Sequence, residues 1–227
     1  RQPLSLPVHR PRLIMTKIIT GTQMQELDRR TIGEARIPAR VLMERAGSGL
    51  VACLERAFGS AQGKRVIILC GKGNNGGDGL VAARLLHRRR AQVQILMMSP
   101  TSELSRDAAA MYRQFVRTAG KSAVCLYMSK THVHSLLREN DLIIDALLGT
   151  GLSTDVTGRY ADAIDNINAA GRPVVSADLP SGLHADTGAI LGRAVRASLT
   201  VTFGLPKLGL YQHHGIDLAG SVDLVDI

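Results

Sequence analysis

Gly71-Lys72-Gly73-Asn74-Asn75-Gly76-Gly77-Asp78-Gly79 follows the short apolar run Val66 to Cys70 and leads into an apolar-periodic stretch, the order of a strand, a phosphate loop and a helix. Glycine tolerates positive φ and carries no Cβ, so such a loop turns sharply and brings backbone N–H groups close to a ligand. An anion would then sit at the N-terminus of the following helix, at the positive end of its dipole. The Asn-Asn-Gly-Gly-Asp core adds side-chain oxygens where backbone donors alone would hold a phosphate, which points to a second ligand group beyond phosphate.

Outward from this loop, strand and helix patterns alternate. Strands are expected at 65–70, 92–98, 123–127, 141–146, 173–177, 199–203 and 222–226, and helices at 78–90, 105–119, 131–139 and 158–170. Alternation of this kind indicates a three-layer α/β/α, Rossmann-like, doubly wound and mostly parallel sheet. The runs at 66–70 and 141–145 are almost wholly apolar, as central strands covered on both faces should be. Upstream, Thr22 to Gln25 reads as a capping box opening a first helix that carries Met24, Leu27 and Ile32, and Pro38 opens a second that runs to Phe58. Gly47 and Gly49 inside that second helix each cost about 1 kcal/mol against alanine, so they are expected to serve close packing or a ligand.

The chain has 227 residues, enough for one sizeable α/β domain, placed at 15–227. Residues 1–14 hold three prolines and no acid and are read as a mobile N-terminal extension; prolines so spaced spoil the amphipathic helix of a transit peptide. The last residues, Val222 to Ile227, end on a strand-like pattern, as if more chain followed. With 45% hydrophobic and 21% charged residues, and no apolar run near the roughly 20 a membrane helix needs, an integral membrane protein is not expected. Cys53, Cys70 and Cys125 make neither a disulfide framework nor metal-type spacing, which favours a reducing, cytoplasmic setting. The net charge of +9 favours anionic partners. Aromatic content of 3%, no Trp, and a longest basic run of only Arg88-Arg89-Arg90 at a helix end argue against nucleic acid.

Ligands of doubly wound sheets bind beyond the carboxyl ends of the strands, where strand order reverses. The glycine loop follows Cys70, Asp145 closes Leu142-Ile143-Ile144, and Asp178 closes Val174 to Ala177, so all three stand at strand ends. Both acids run into glycine-containing loops, and the three loops are expected to form one cleft. Gly71, Gly73 and Gly76 satisfy GxGxxG, but the acid that would hold a ribose is replaced by Met97-Met98-Ser99-Pro100, which disfavours an ordinary NAD dehydrogenase. A Walker loop is excluded, since no Gly-Lys-Ser/Thr follows.

Asn75, Asp145 and Ser181 offer an amide oxygen, a carboxylate and a hydroxyl from three loops that should meet. Such a set suits a hard, weakly charged cation such as K⁺, and equally a hydrogen-bonded clamp without metal. Asp178 has two readings as well: a proton shuttle if burial moves its pKa toward neutrality, or a cap for its own loop. His184, His213 and His214 are read as loop residues, with no nucleophile elbow to make a serine triad.

Five ordered motifs resemble one family. They are Leu42-Met-Glu-Arg-Ala-Gly47, the 71–79 loop, Asp145-Ala-Leu-Leu-Gly-Thr-Gly-Leu152, Asp178-Leu-Pro-Ser-Gly-Leu183 and Thr202-Phe-Gly-Leu-Pro-Lys-Leu-Gly209. The family is the YjeF N-terminal domain, the NAD(P)H-hydrate epimerases, and the resemblance spans about residues 15–227. It implies interconversion of the R and S forms of hydrated NADH and NADPH, damaged cofactors with a hydroxyl at C6 of the nicotinamide ring. The hydrated dinucleotide is then the substrate. Its implied contacts are Asn74, Asn75, Gly76, Gly77 and Asp78; Gly149, Thr150, Gly151, Leu152, Ser153, Thr154 and Asp155; and Asp178 near the reacting ring, which we expect to act as the general acid/base. Asn75, Asp145 and Ser181 become the implied ligands of one K⁺ per subunit. The family further implies a homodimer and, in many bacteria, fusion to a C-terminal ADP-dependent dehydratase, of which these residues carry no sign. A non-catalytic binding or scaffold module is the alternative, and an intact Asp178 and Asn-Asn-Gly-Gly-Asp core speaks against it.

Overall fold

A computed structural model describes residues 17–227, so the extension expected over 1–14 lies outside the described residues. The seven strands are β1 (Arg65–Cys70), β2 (Gln92–Met97), β3 (Val124–Leu126), β4 (Leu142–Ala146), β5 (Val174–Ala177), β6 (Leu199–Phe203) and β7 (Ser221–Val225). They form one sheet in the order β3-β2-β1-β4-β5-β6-β7, and every pairing is parallel, where the sequence had suggested only mostly parallel. After β3 the chain crosses back to lay β4 on the other side of β1, so strand order reverses between β1 and β4 and a crevice opens beyond their carboxyl ends.

Helices cover both faces. Leu50, Val51 and Leu54 of α2 (Ala39–Phe58), Leu80 and Leu86 of α3 (Asn74–Arg88) and Met111 and Phe115 of α4 (Arg106–Ala119) pack with Val66, Ile68 and Ile144. On the opposite face, Val133 and Leu137 of α5 (Lys130–Glu139) and Ile164 and Ile167 of α6 (Gly158–Ala169) pack with Ile67, Leu69 and Ile143. Alternate residues of β1 thus feed two cores, which is why its whole run is apolar. A third cluster, with Leu179, Leu183, Leu210 and Leu218, sits under the loops after β5 and beside the short α7 (Gly215–Leu218). Among the described residues no helix is long and apolar enough to cross a membrane.

Three local expectations need correction. The first helix, α1 (Gly21–Gly33), is capped by Thr20 with Gln23 rather than by Thr22 with Gln25. The reason is tertiary: Ile19 bridges in parallel to Lys207, which holds the chain extended up to residue 19 and fixes where the helix starts. Pro38 is the extended N-cap of α2, not its first turn. Most consequentially, α3 begins at Asn74, so the Asn-Asn-Gly-Gly-Asp core is helical and the turn itself is only Gly71-Lys72-Gly73.

Close packing allows that early start. A Cβ on Gly71 would overlap the Leu147 carbonyl oxygen, and one on Gly76 would overlap the Gly71 carbonyl oxygen. Gly47 and Gly49 also serve packing: a Cβ on Gly47 would lie 2.5 Å from Val81, and one on Gly49 would run into Val225.

Candidate active site

The carboxyl ends of β1, β4 and β5 open into a cavity of about 670 Å³, the size of a small-molecule site. The N-terminus of α3 forms one wall. Gly73 is its N-cap and supplies no side-chain hydrogen bond, so the first N–H groups of the helix are left for a ligand. Lys72, Gly73, Asn74, Asn75 and Asp78 line the cavity here. The facing wall is the loop after β4, where Leu147 to Thr154 all line it.

Of the positions expected to touch substrate, Asn74, Asn75, Asp78, Gly149, Thr150, Gly151, Leu152, Ser153, Thr154 and Asp178 meet in this one cavity. Gly76, Gly77 and Asp155 do not line it. Gly76 is pressed on Gly71 and Gly77 on the Met43 sulfur, so their place is in the packing that seats the helix. Asp155 is exposed beyond the end of the loop.

Asn75, Asp145 and Ser181 converge on the backbone of Leu147 and Leu148. Asn75 Nδ2 donates to the Leu148 carbonyl at 2.9 Å, and Ser181 Oγ accepts from Leu148 N at 2.9 Å. Asp145 is fully buried; it accepts from Ser181 Oγ at 2.6 Å, from Ser181 N and Ser176 Oγ at 2.9 Å each, and from Leu147 N at 3.2 Å. Burial pushes its pKa up, and the hydrogen bonds from Ser181, Ser176 and Leu147 pull against that. Asn75 Oδ1, by contrast, is buried with no hydrogen-bond partner among the described residues. An orphaned amide oxygen beside a buried carboxylate and a hydroxyl is a donor set that fits an alkali cation. Among the described residues no group of three His, Cys, Asp or Glu side chains is arranged to hold a metal ion.

Asp178 stands at the end of β5 with φ of +65°, a left-handed conformation that is uncommon outside glycine and is tolerated by Asp and Asn. Its Oδ1 receives the ammonium of Lys207, along with Thr202 Oγ1 and Phe203 N at 3.3 Å each. Lys207 is 1% exposed and also donates to the Phe203 carbonyl at 2.8 Å and to Thr202 Oγ1 at 3.2 Å. Sequence reading quoted Lys207 inside a motif and gave it no role. The local signal for it is a lone lysine directly after Pro206, four residues beyond the fully buried strand β6.

Two more carboxyls face this pair. Burial raises Asp78 well above the ordinary carboxylate range, and the charges of Asp178 and Asp28 raise it further while Lys207 opposes them. Asp28, on α1, is raised chiefly by burial; Lys207 opposes and Asp178 adds to the rise. Asp28 lies four residues from both Met24 and Ile32, on the same helical face, and all three line the cavity. Cys70, at the end of β1, is fully buried, and burial pushes its thiol up, so no reactive thiolate is offered here.

Residues 39–209 match the family described as YjeF-related protein N-terminus. A relative from Moorella thermoacetica, named a bifunctional NAD(P)H-hydrate repair enzyme, is 41% identical over 214 residues, which is 92% of this chain and 40% of the relative. One from Limosilactobacillus fermentum, named an NAD(P)H-hydrate epimerase, is 39% identical over 210 residues, 92% of this chain and 95% of the relative. The chain therefore spans about 40% of the bifunctional relative and nearly all of the single-function one. In fold it is similar to the solved yeast protein ynu0, YNL200c, with a TM-score of 0.72 and 24% identity over 85% of this chain and 82% of that one.

Proposed function

Because this chain belongs to the YjeF-related protein N-terminus family, we propose that it is an isomerase that interconverts the R and S forms of hydrated NADH and NADPH. Its full-length relatives are named for that reaction. The observation that carries the reading is the Asp178–Lys207 pair in the wall of the same cavity that the uncapped N-terminus of α3 opens into. A proton-transfer group and an anion cradle are the two things a reaction on a dinucleotide requires.

In this reading the first N–H groups of α3 and the loop 149–154 hold the pyrophosphate, and the hydrated nicotinamide lies toward Asp178. C6 is a carbinolamine carbon, so its configuration inverts when the hydroxyl leaves and water returns to the opposite face. Either step moves a proton, and Asp178 is the group placed to move it. Lys207 holds the Asp178 carboxyl in one orientation, and proton transfer by a side chain so positioned is worth about 10²–10⁴ in rate. Asn75, Asp145 and Ser181 would hold K⁺, which would supply a fixed positive charge to the floor of the cleft and satisfy the orphaned Asn75 Oδ1.

The test is to incubate the chain with R-NADPHX and an S-specific dehydratase. Consumption of the R form faster than its spontaneous rate is expected; consumption at the spontaneous rate would assign the cavity to binding alone.

A further inference from the structure

Asp28 has no part in the reaction as drawn above, yet the structure delivers it to the reacting end of the cavity. Its helix, α1, is tied down at three points. Ile19 N donates to the Pro206 carbonyl at 3.0 Å and Leu208 N to the Ile19 carbonyl at 2.8 Å, which fastens the entrance of α1 to the segment carrying Lys207. Gly21 N donates to Asp186 Oδ1 at 2.5 Å, and Gln25 Nε2 to the Thr150 carbonyl at 3.4 Å. The helix is thus fastened to the Lys207 segment, to the loop after β5 and to the facing wall at Thr150. The other charges of α1 pair on its exposed side, Arg29 with Glu26 and Arg30 with Glu34 at the C-cap. Among the described residues Asp28 has neither an ion pair nor a hydrogen bond, and it lines the cavity half-buried.

We infer that Asp28 is a second catalytic proton-transfer residue, acting as the acid when Asp178 acts as the base. The inference rests on the epimerase reading. The cavity wall holds six titratable groups that bear on it: Asp28 from α1, Lys72 and Asp78 from the glycine turn and α3, Tyr160 from α6, Asp178 after β5 and Lys207 after β6. Among the described residues only Asp178 of the three acids is salt-bridged, while Asp28 stands half-buried without a partner and burial raises its pKa. Two carboxyls in one site with different surroundings, one bridged to a lysine and one without a partner, divide the acid and base roles between them.

The steps balance. The C6–O bond breaks as Asp28 passes its proton to the departing hydroxyl, which leaves as water, and the lone pair of N1 closes a C6=N1 double bond. Water then adds to the other face of C6, a new C6–O bond forms, the lone pair returns to N1, and the surplus proton goes to Asp178. No oxidant or reductant is involved. The state left behind, with Asp28 ionised and Asp178 protonated, is the starting state for the reverse direction, and exchange with solvent resets it.

The test follows relaxation of purified R-NADPHX toward the epimer mixture by chromatography, with the uncatalysed rate subtracted at each pH. Asp28→Asn, which is close to isosteric, is expected to lower kcat by about 100-fold or more, to change KM by less than about threefold, and to remove the limb of the kcat profile that requires a protonated acid. Asp28→Glu is expected to keep that limb at a shifted position. An active parent chain whose Asp28→Asn variant keeps its kcat and pH profile overturns this inference alone. So does a variant that loses rate with the acid limb intact, since packing would then explain the loss. An inactive parent chain overturns the epimerase reading and this inference with it.

Discussion

Lys207 places its ammonium on Asp178 Oδ1 inside the cavity, and the two residues reach each other from segments that follow different strands. The lysine is 1% exposed, so neither charge is well served by water if the other is removed. Lys207→Met should therefore strand the carboxylate and cost roughly 3 kcal/mol or more, with a fall in Tm on the order of 10 °C. Thermal unfolding of Lys207→Met, Asp178→Asn and the double variant checks this. The double variant should be less destabilised than the sum of the singles, because the partner left unpaired in each single is then gone.

Asp78 makes a pH prediction. Its folded-state pKa lies above the unfolded value of about 3.8, because burial and the charges of Asp178 and Asp28 disfavour ionisation. Between those two pKa values the folded chain keeps a proton that the unfolded chain has lost, so this group's contribution to stability declines as pH rises above about 4. Asp78→Asn, which cannot ionise, should raise Tm relative to the parent at pH 7–8 and change it little near pH 4. A Tm difference that did not grow with pH would show that Asp78 ionises freely in the fold.

The orphaned Asn75 Oδ1 predicts linkage to an alkali cation. Replacing choline chloride by KCl at constant ionic strength should raise the Tm of the parent chain, since a ligand that binds only the folded state stabilises it. Asn75→Ala and Ser181→Ala should abolish most of that rise. An equal rise in all three proteins would move the cation effect elsewhere on the chain.

Glycines of the same loop should differ sharply in tolerance. A Cβ at Gly71 meets the Leu147 carbonyl, which is backbone and cannot swing away, whereas a Cβ at Gly73 meets nothing within 4 Å. Gly71→Ala should cost about 3 kcal/mol or more by forcing the two loops apart, and Gly73→Ala should lie within about 1 kcal/mol of the parent. Urea denaturation of the two variants separates them.

The α/β class, the order of strands and helices, and the presence of Asp145 and Asp178 at strand ends were legible in the chain itself. Periodicity and strand-end position are local properties, and the uniformly apolar run of β1 already announces a strand covered on both sides. The starts of α1 and α3 were misplaced because contacts far along the chain set them: Ile19 bridging to Lys207, and Gly71 pressed on Leu147.

What the sequence by itself determined is a doubly wound sheet with its cleft beyond the strand ends, and the residues that mark its family. Only the tertiary structure decided how charge is shared in that cleft: which lysine pairs with Asp178, and that among the described residues neither Asp28 nor Asn75 Oδ1 has a partner. The physical reason is that side-chain period and backbone sterics act over a few residues. The protonation state of a buried carboxyl depends instead on every charge and dipole the fold brings near it.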